Sequence, residues 1–158
     1  MNKNFLYIFL FAWIFSACEK DDICLSPTTP KLVLRFYDSA NPTEFKSVPN
    51  FSTIAESKTD SLFVAQTLDS IAIPLNTNGT QTIYKFKTSS TGNKTDNKYN
   101  TLTITYTTED IFVSRSCGLK TIFNTVTITS DNGWFQSVTP NSLTTIDNET
   151  SAHVKIYH

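Results

Sequence analysis

The sequence predicts an all-β domain, an antiparallel β-sandwich of about seven or eight strands, immunoglobulin-like or similar, with a small closed barrel as the alternative. Three observations carry that expectation. Apolar residues recur with a period of two, not 3.6, in nearly every readable segment. Asn-, Gly- and Ser-rich turn signals punctuate those segments at the intervals of short strands. The chain is rich in threonine, serine, asparagine and aromatics and poor in alanine, leucine and methionine, which favours extended backbone over helix.

Taken in order, Leu32, Leu34 and Phe36 alternate with Val33, Arg35 and Tyr37 to give the first strand. Ile71, Ile73 and Leu75 share the face of a second, and Thr82, Tyr84 and Phe86 that of a third. Leu102, Ile104 and Tyr106 against Thr101, Thr103 and Thr105 form the most regular strand of the chain. Thr108-Glu109-Asp110 is expected to close a hairpin into a strand lined by Ile111, Val113, Arg115 and Cys117. Ile122, Val126 and Ile128 mark another strand, and Val154 and Ile156 the last. The turns between them are read at Asn76-Thr77-Asn78-Gly79, Ser89-Ser90-Thr91-Gly92-Asn93 and Ser130-Asp131-Asn132-Gly133. One wet face per strand requires two packed sheets.

A different pattern precedes this domain. Asn2-Lys3 lead into about eleven apolar residues, Phe5 to Phe15, which matches the core of an export signal and falls short of the about twenty needed to span a bilayer. Ser16-Ala17 and then Cys18 follow, with Glu19-Lys20-Asp21-Asp22 behind. This is the arrangement of a bacterial lipoprotein signal, cut before Cys18 so that its sulfur carries lipid. Phe15 departs from the leucine usual at its place. Each buried methylene contributes about 0.8 kcal/mol, and stable anchoring takes two acyl chains or more. The expected organisation is a signal peptide over 1–17, a lipidated cysteine and tether over 18–30, and one β domain over 31–158. An ordinary secretory signal or an uncleaved anchor are the alternatives, and both also export the domain. Lys20 with its neighbouring acids resembles the signal that sends lipoproteins of Bacteroidota to the outer face of the outer membrane; a solvated tether is the other reading of the same charges.

Removal of the signal leaves about 141 residues, enough for one real core. Twelve basic residues then face fourteen acidic ones, a formal charge of about minus two, and no basic stripe for nucleic acid is present. With Cys18 lipidated, Cys24 and Cys117 remain as a candidate disulfide in an oxidising compartment, clipping tether to body. The chain-entropy account assigns so long a loop about 4 to 5 kcal/mol. Two unpaired thiols are the alternative. The chain has no C-x-x-C motif for zinc or redox chemistry.

The chain resembles a family of uncharacterised Bacteroidota lipoproteins through Asp21-Asp22-Ile23-Cys24, Arg35-Phe36-Tyr37-Asp38, Asp69-Ser70-Ile71-Ala72-Ile73-Pro74-Leu75, Ser114-Arg115-Ser116-Cys117-Gly118, Asn148-Glu149 and Ala152-His153-Val154-Lys155-Ile156-Tyr157-His158. The resemblance covers nearly the whole mature chain. It implies location and fold, supplies no activity, and points weakly to an outer-membrane protein partner.

Few residues suggest chemistry. Arg115 shares the apolar parity of Ile111, Val113 and Cys117, where an isolated guanidinium is costly, so it should be paired with Glu149 or Asp38, or else hold a ligand carboxylate or phosphate. His153 falls on the polar side of the last strand, and with His158 gives too few ligands for a metal site. Trp134-Phe135 after Gly133 is a candidate aromatic platform for sugars, or a half-buried pair. No nucleophile elbow appears, and the adjacent acids Glu109-Asp110 and Asp21-Asp22 point to opposite faces, unlike a glycosidase pair. Asp38-Ser39-Ala40, Asp60-Ser61-Leu62 and Asp69-Ser70-Ile71 fit a periplasmic O-glycosylation sequon of Bacteroidota, with Ser39, Ser61 and Ser70 as the acceptors.

The expectation is therefore a non-enzymatic lipoprotein of the outer membrane, on its periplasmic or surface side, held by its lipid anchor, with no cofactor or metal, and serving a structural or protein-interaction role. The alternative is a small-ligand or glycan binder using Arg115, Trp134, His153 and Glu149.

Overall fold

The computed structural model describes Cys24 and residues 29–158. Among the described residues, ten strands form two sheets. The four-stranded sheet has the order β4 (Ser70–Ile73), β1 (Leu32–Tyr37), β10 (Val154–Tyr157), β8 (Ser137–Thr139). The six-stranded sheet runs β3 (Ser61–Leu68), β2 (Val48–Ala55), β5 (Gln81–Thr88), β6 (Lys98–Ser114), β7 (Gly118–Ser130), β9 (Ser142–Ile146). All pairings are antiparallel except β1 with β10, where the first and last strands run side by side in parallel. The sheets pack face to face as a β-sandwich, and the barrel alternative does not hold.

The core lies where the alternating residues of both sheets meet. Leu32, Leu34, Phe36, Ile71, Ile73, Val154 and Ile156 line the small sheet, and Phe51, Tyr84, Phe86, Leu102, Ile104 and Phe123 the large one. Phe36 reaches across the layers to Phe51 with ring centroids 5.6 Å apart. Aromatic pairs in such tilted contact add about 0.5–1.5 kcal/mol beyond the area they bury.

Two departures from the sequence reading matter for function. The hairpin expected at Thr108-Glu109-Asp110 does not exist. β6 runs straight through these residues to Ser114, and the turn is Arg115–Cys117, after which Gly118 at φ 70° re-enters the ladder. A three-residue loop closed by a left-handed glycine is a stable hairpin connection because glycine alone takes that φ without a Cβ clash. The second departure lies in β7, where Thr125 has φ 51° and the register with β6 shifts beside it. The resulting bulge puts Phe123 and Val126 together in the core, whereas a strict alternation placed Ile122 with Val126.

β6 and β7 also outgrow their neighbours. β5 pairs with β6 only as far as Thr105, and β9 with β7 only from Phe123 onward. Between Thr107 and Ile122 the two strands pair with each other alone, as a two-stranded ribbon projecting beyond the large sheet.

Candidate functional site

The ribbon carries the cysteine clip. Cys24 and Cys117 are disulfide-bonded, with Cα atoms 4.9 Å apart, so the chain preceding the domain is fastened to the ribbon's turn. Thr29 Oγ1 accepts a hydrogen bond from the Thr121 N–H farther down β7. Residues 24 and 29 thus meet the ribbon at its tip and nearer its base. At the same end Phe112 and Leu119 are cross-strand partners, 68% and 63% exposed.

Arg115 is not where the alternation placed it. It lies in the turn and is exposed, so no acid is needed to offset burial. Its expected partners are engaged elsewhere. Asp38 forms an ion pair with Lys46 at 3.1 Å, and the Ala40 N–H, together with Lys46, holds its carboxyl below the ordinary range. Glu149 Oε1 accepts the Lys31 N–H at 2.8 Å. The arginine that does sit in a sheet is Arg35, whose guanidinium lies 4.7 Å over the Phe45 ring on the outer face of the small sheet.

His153 immediately precedes β10 and is half-buried. Its N–H donates to the Val33 carbonyl at 2.9 Å, and its Nδ1 accepts the Val33 N–H at 2.9 Å. Both groups continue the β1–β10 ladder by one step, leaving Nδ1 no lone pair for a ligand. Burial lowers its pKa, opposed by the Asn148 backbone and by the nearby carboxylates of Glu149 and Asp147. The cleft that Trp134 lines includes neither Arg115 nor His153.

Trp134 is half-buried and forms the wall of a cleft. The Gly133 backbone comes so close to Tyr99 and Asn100 that a Cβ would stand 2.2 Å from Asn100 Oδ1, and that close approach seats the loop. Asn100, buried, accepts the Phe135 N–H and donates to Ser130 and Asp131, pinning the same loop. Trp134 then stacks on Phe36 at 6.1 Å and meets the His158 ring edge-on at 5.4 Å. Its outer side lines an open cleft of about 640 Å³ with Tyr99, Lys46, Lys98, Asp96 and His158. The Asp96 carboxylate is already filled by donors from Ser89, Ser90 and Thr91, which hold it well below the usual carboxylate range. The cleft therefore offers rings and the Lys98 ammonium more than a free acid, Lys46 being engaged by Asp38 and the His158 main-chain oxygen.

Of the serines in the sequons, Ser61 is exposed at the start of β3. Ser39 donates its hydroxyl to the main-chain oxygen of His158, and Ser70, within β4, donates to that of Leu34. Cys18, the signal peptide and the charges after it lie outside the described residues. Among the described residues, no helix is long and apolar enough to cross a membrane, and no group of three or more His, Cys, Asp or Glu side chains could hold a metal.

Sequence reasoning missed β3, the outer strand of the large sheet. All of it but Phe63 and Leu68 is exposed, with Val64 at 67% and Leu62 nearby. Its signal was masked because Ala65 has φ 50° and the pairing with β2 shifts register repeatedly, which destroys a period of two.

Neither the curated proteins nor the solved structures contain a significant match to this chain. A family model does match residues 51–158, more than half of the sequence, and by that match the chain belongs to a family of unknown function, DUF6452.

Proposed function

We propose that this protein is a lipid-anchored lipoprotein of the outer membrane that works without catalysis, docking a protein partner of the envelope along the free edge of β3. The observation that carries the reading is that edge. β3 ends the large sheet, so among the described residues the backbone groups on its far side face no further strand, and Leu62 and Val64 stand exposed beside them. An unpaired edge of this kind recruits an added strand, with main-chain hydrogen bonds giving affinity and alternate side chains specificity. The lipoprotein-type sequence around Cys18 supports the anchoring, and the clip at Cys24 supports a body held close to its membrane. Lipid on Cys18 is the membrane contact, and no cofactor enters.

A photo-crosslinking residue in place of Val64, activated in intact envelopes, is expected to trap one recurring protein partner. The adduct should disappear when Gln66→Pro blocks strand addition. Repeated activation with no specific protein adduct overturns the reading.

The cleft beside Trp134 favours a second reading, a glycan or small-ligand binder. Stacking on Trp134 or Tyr99 would change the tryptophan emission on titration with envelope glycan fragments, while the docking reading expects no change.

A further inference from the structure

We infer that the tip of the β6–β7 ribbon, Ile111 to Lys120, seats in the interface of the lipid bilayer beside the anchor. The inference rests on the anchoring proposed above and adds to it a second, non-covalent membrane contact and an orientation for the body.

Three independent features converge on this end of the molecule. The first is chain reach. Cys18 precedes Cys24 by six positions, a span of at most about 20 Å, and Cys24 is bonded to the turn of the ribbon. Lipid on Cys18 therefore holds the turn within that distance of the membrane, while the rest of the domain lies farther along the ribbon. The second is the surface. Phe112 and Leu119 are in-register partners on one face of a ribbon whose two strands pair there only with each other, and both are mostly exposed. In the body, Leu102, Ile104 and Tyr106 of β6 and Phe123, Val126 and Ile128 of β7 are buried in the core. An aromatic and an aliphatic side chain held out on a stiff two-stranded support need an apolar phase to cover them, and the nearest one fixed by the covalent structure is the bilayer.

The third feature is charge. Between Ile111 and Lys120 the sequence contains Arg115 and Lys120 and no acid, whereas Glu109 and Asp110 begin just behind; Lys120 donates back to the Asp147 main-chain oxygen, so Arg115 is the exposed cation of the turn itself. Those two acids are held by neighbours down the ribbon, Glu109 by the Asn124 amide and Asp110 by the Thr121 hydroxyl. The polarity thus runs from Phe112, Leu119 and the Arg115 cation at the tip to acids toward the body, the order that a headgroup layer favours. Burial at the interface would also set the Trp134 cleft, which lies beside Lys98 and Tyr99 at the other end of β6, away from the anchor.

The full-length lipidated protein, reconstituted in phospholipid vesicles, gives the test. Phe112→Trp, and separately Leu119→Trp, place a reporter at the tip, with the wild-type emission of Trp134 subtracted as reference. Flotation with the vesicles reports anchoring. Lipids brominated at shallow chain positions are expected to remove most of the added emission, which should also be blue-shifted, while leaving Trp134 largely untouched. Flotation without that quenching overturns the inference and leaves the anchoring intact. An added emission shielded from aqueous acrylamide yet unmoved by brominated lipid assigns the tip to a protein, a second copy included, and overturns it as well. Failure to float removes both the anchoring and the inference built on it.

Discussion

A single strand, β6, passes through two environments, and the contrast between them explains most of what this molecule is. From Asn100 to Tyr106 its even-numbered residues are buried against the small sheet, and every second position is closed to solvent. From Thr107 to Ser114 the same extended backbone continues with the same kind of residues, but none of them is fully buried and Phe112 stands in solvent. Strand formation is thus decided locally by β-branched and aromatic residues paired across a ladder, whereas burial is decided by whether a second sheet reaches that far. The body is where the chain stabilises itself. In the ribbon it holds out surface.

The sharpest way to break this comparison is to truncate one aromatic in each region. Phe36 is fully buried and touches Phe51, Trp134, Phe135 and His158, so Phe36→Ala should cost about 3–5 kcal/mol through lost transfer energy and the cavity left behind. Phe112→Ser removes an exposed ring and should change stability by no more than about 0.5 kcal/mol. Guanidinium unfolding of the two variants gives the answer. Comparable losses would mean that the ribbon belongs to the cooperative unit of the body.

The disulfide joins the regions, and its removal should have the next largest effect. It closes a separation of 93 residues, but much of that loop is also closed by the ladders of the two sheets. The double variant Cys24→Ser/Cys117→Ser is therefore expected to lose about 2–4 kcal/mol, below the full entropic figure for so long a loop. Amide exchange sharpens the comparison: ribbon amides around Ile111 and Lys120 should speed up, while those of Leu102 and Ile104 stay protected. Uniform acceleration would deny the ribbon any independence.

What could be read from the sequence follows the same division. β1, β4, β5 and the body half of β6 keep an unbroken alternation, and there the core residues Leu34, Ile73, Phe86 and Ile104 were all legible. Where bulges intervene the signal fails: Asn50, Ala65 and Thr125 all take positive φ, each in a strand where parity slips, so that β2 and β3 went unread and Phe123 was assigned no place. Arg115 was misplaced for a related reason. Its parity with Ile111 and Val113 is real in sequence, but a period of two cannot reveal that the ribbon turns at that residue or that no sheet covers it. The pairing of Cys24 with Cys117 was legible from cysteine arithmetic, while its position at the tip of a projection required the topology. The wall formed by Trp134 depends on the approach of Gly133 to Asn100, a contact between loops that no local pattern encodes.

The smallest expected effect lies in the body, at the seam of its first and last strands, and it tests how that seam is held. His153 Nδ1 accepts the Val33 N–H, so the folded ring is neutral with its proton on Nε2. Protonation would turn this acceptor into a donor facing another donor, and burial already places the folded pKa below the ordinary histidine value. His158 is shifted in the same direction, again chiefly by burial. The unfolded chain therefore binds protons first as the pH falls. The contribution of both groups is complete above about pH 6.5 and is lost as the pH drops from there through the depressed folded values. Thermal unfolding should accordingly show a midpoint that falls as the pH drops below about 6.5. His153→Asn puts an amide oxygen where Nδ1 stands, keeping an acceptor for Val33 without a titrating group. Its midpoint at neutral pH should stay near that of the wild type, and its decline should be shallower, with the share due to His158 remaining. An unchanged slope would show that the β1–β10 seam does not depend on the protonation of this ring.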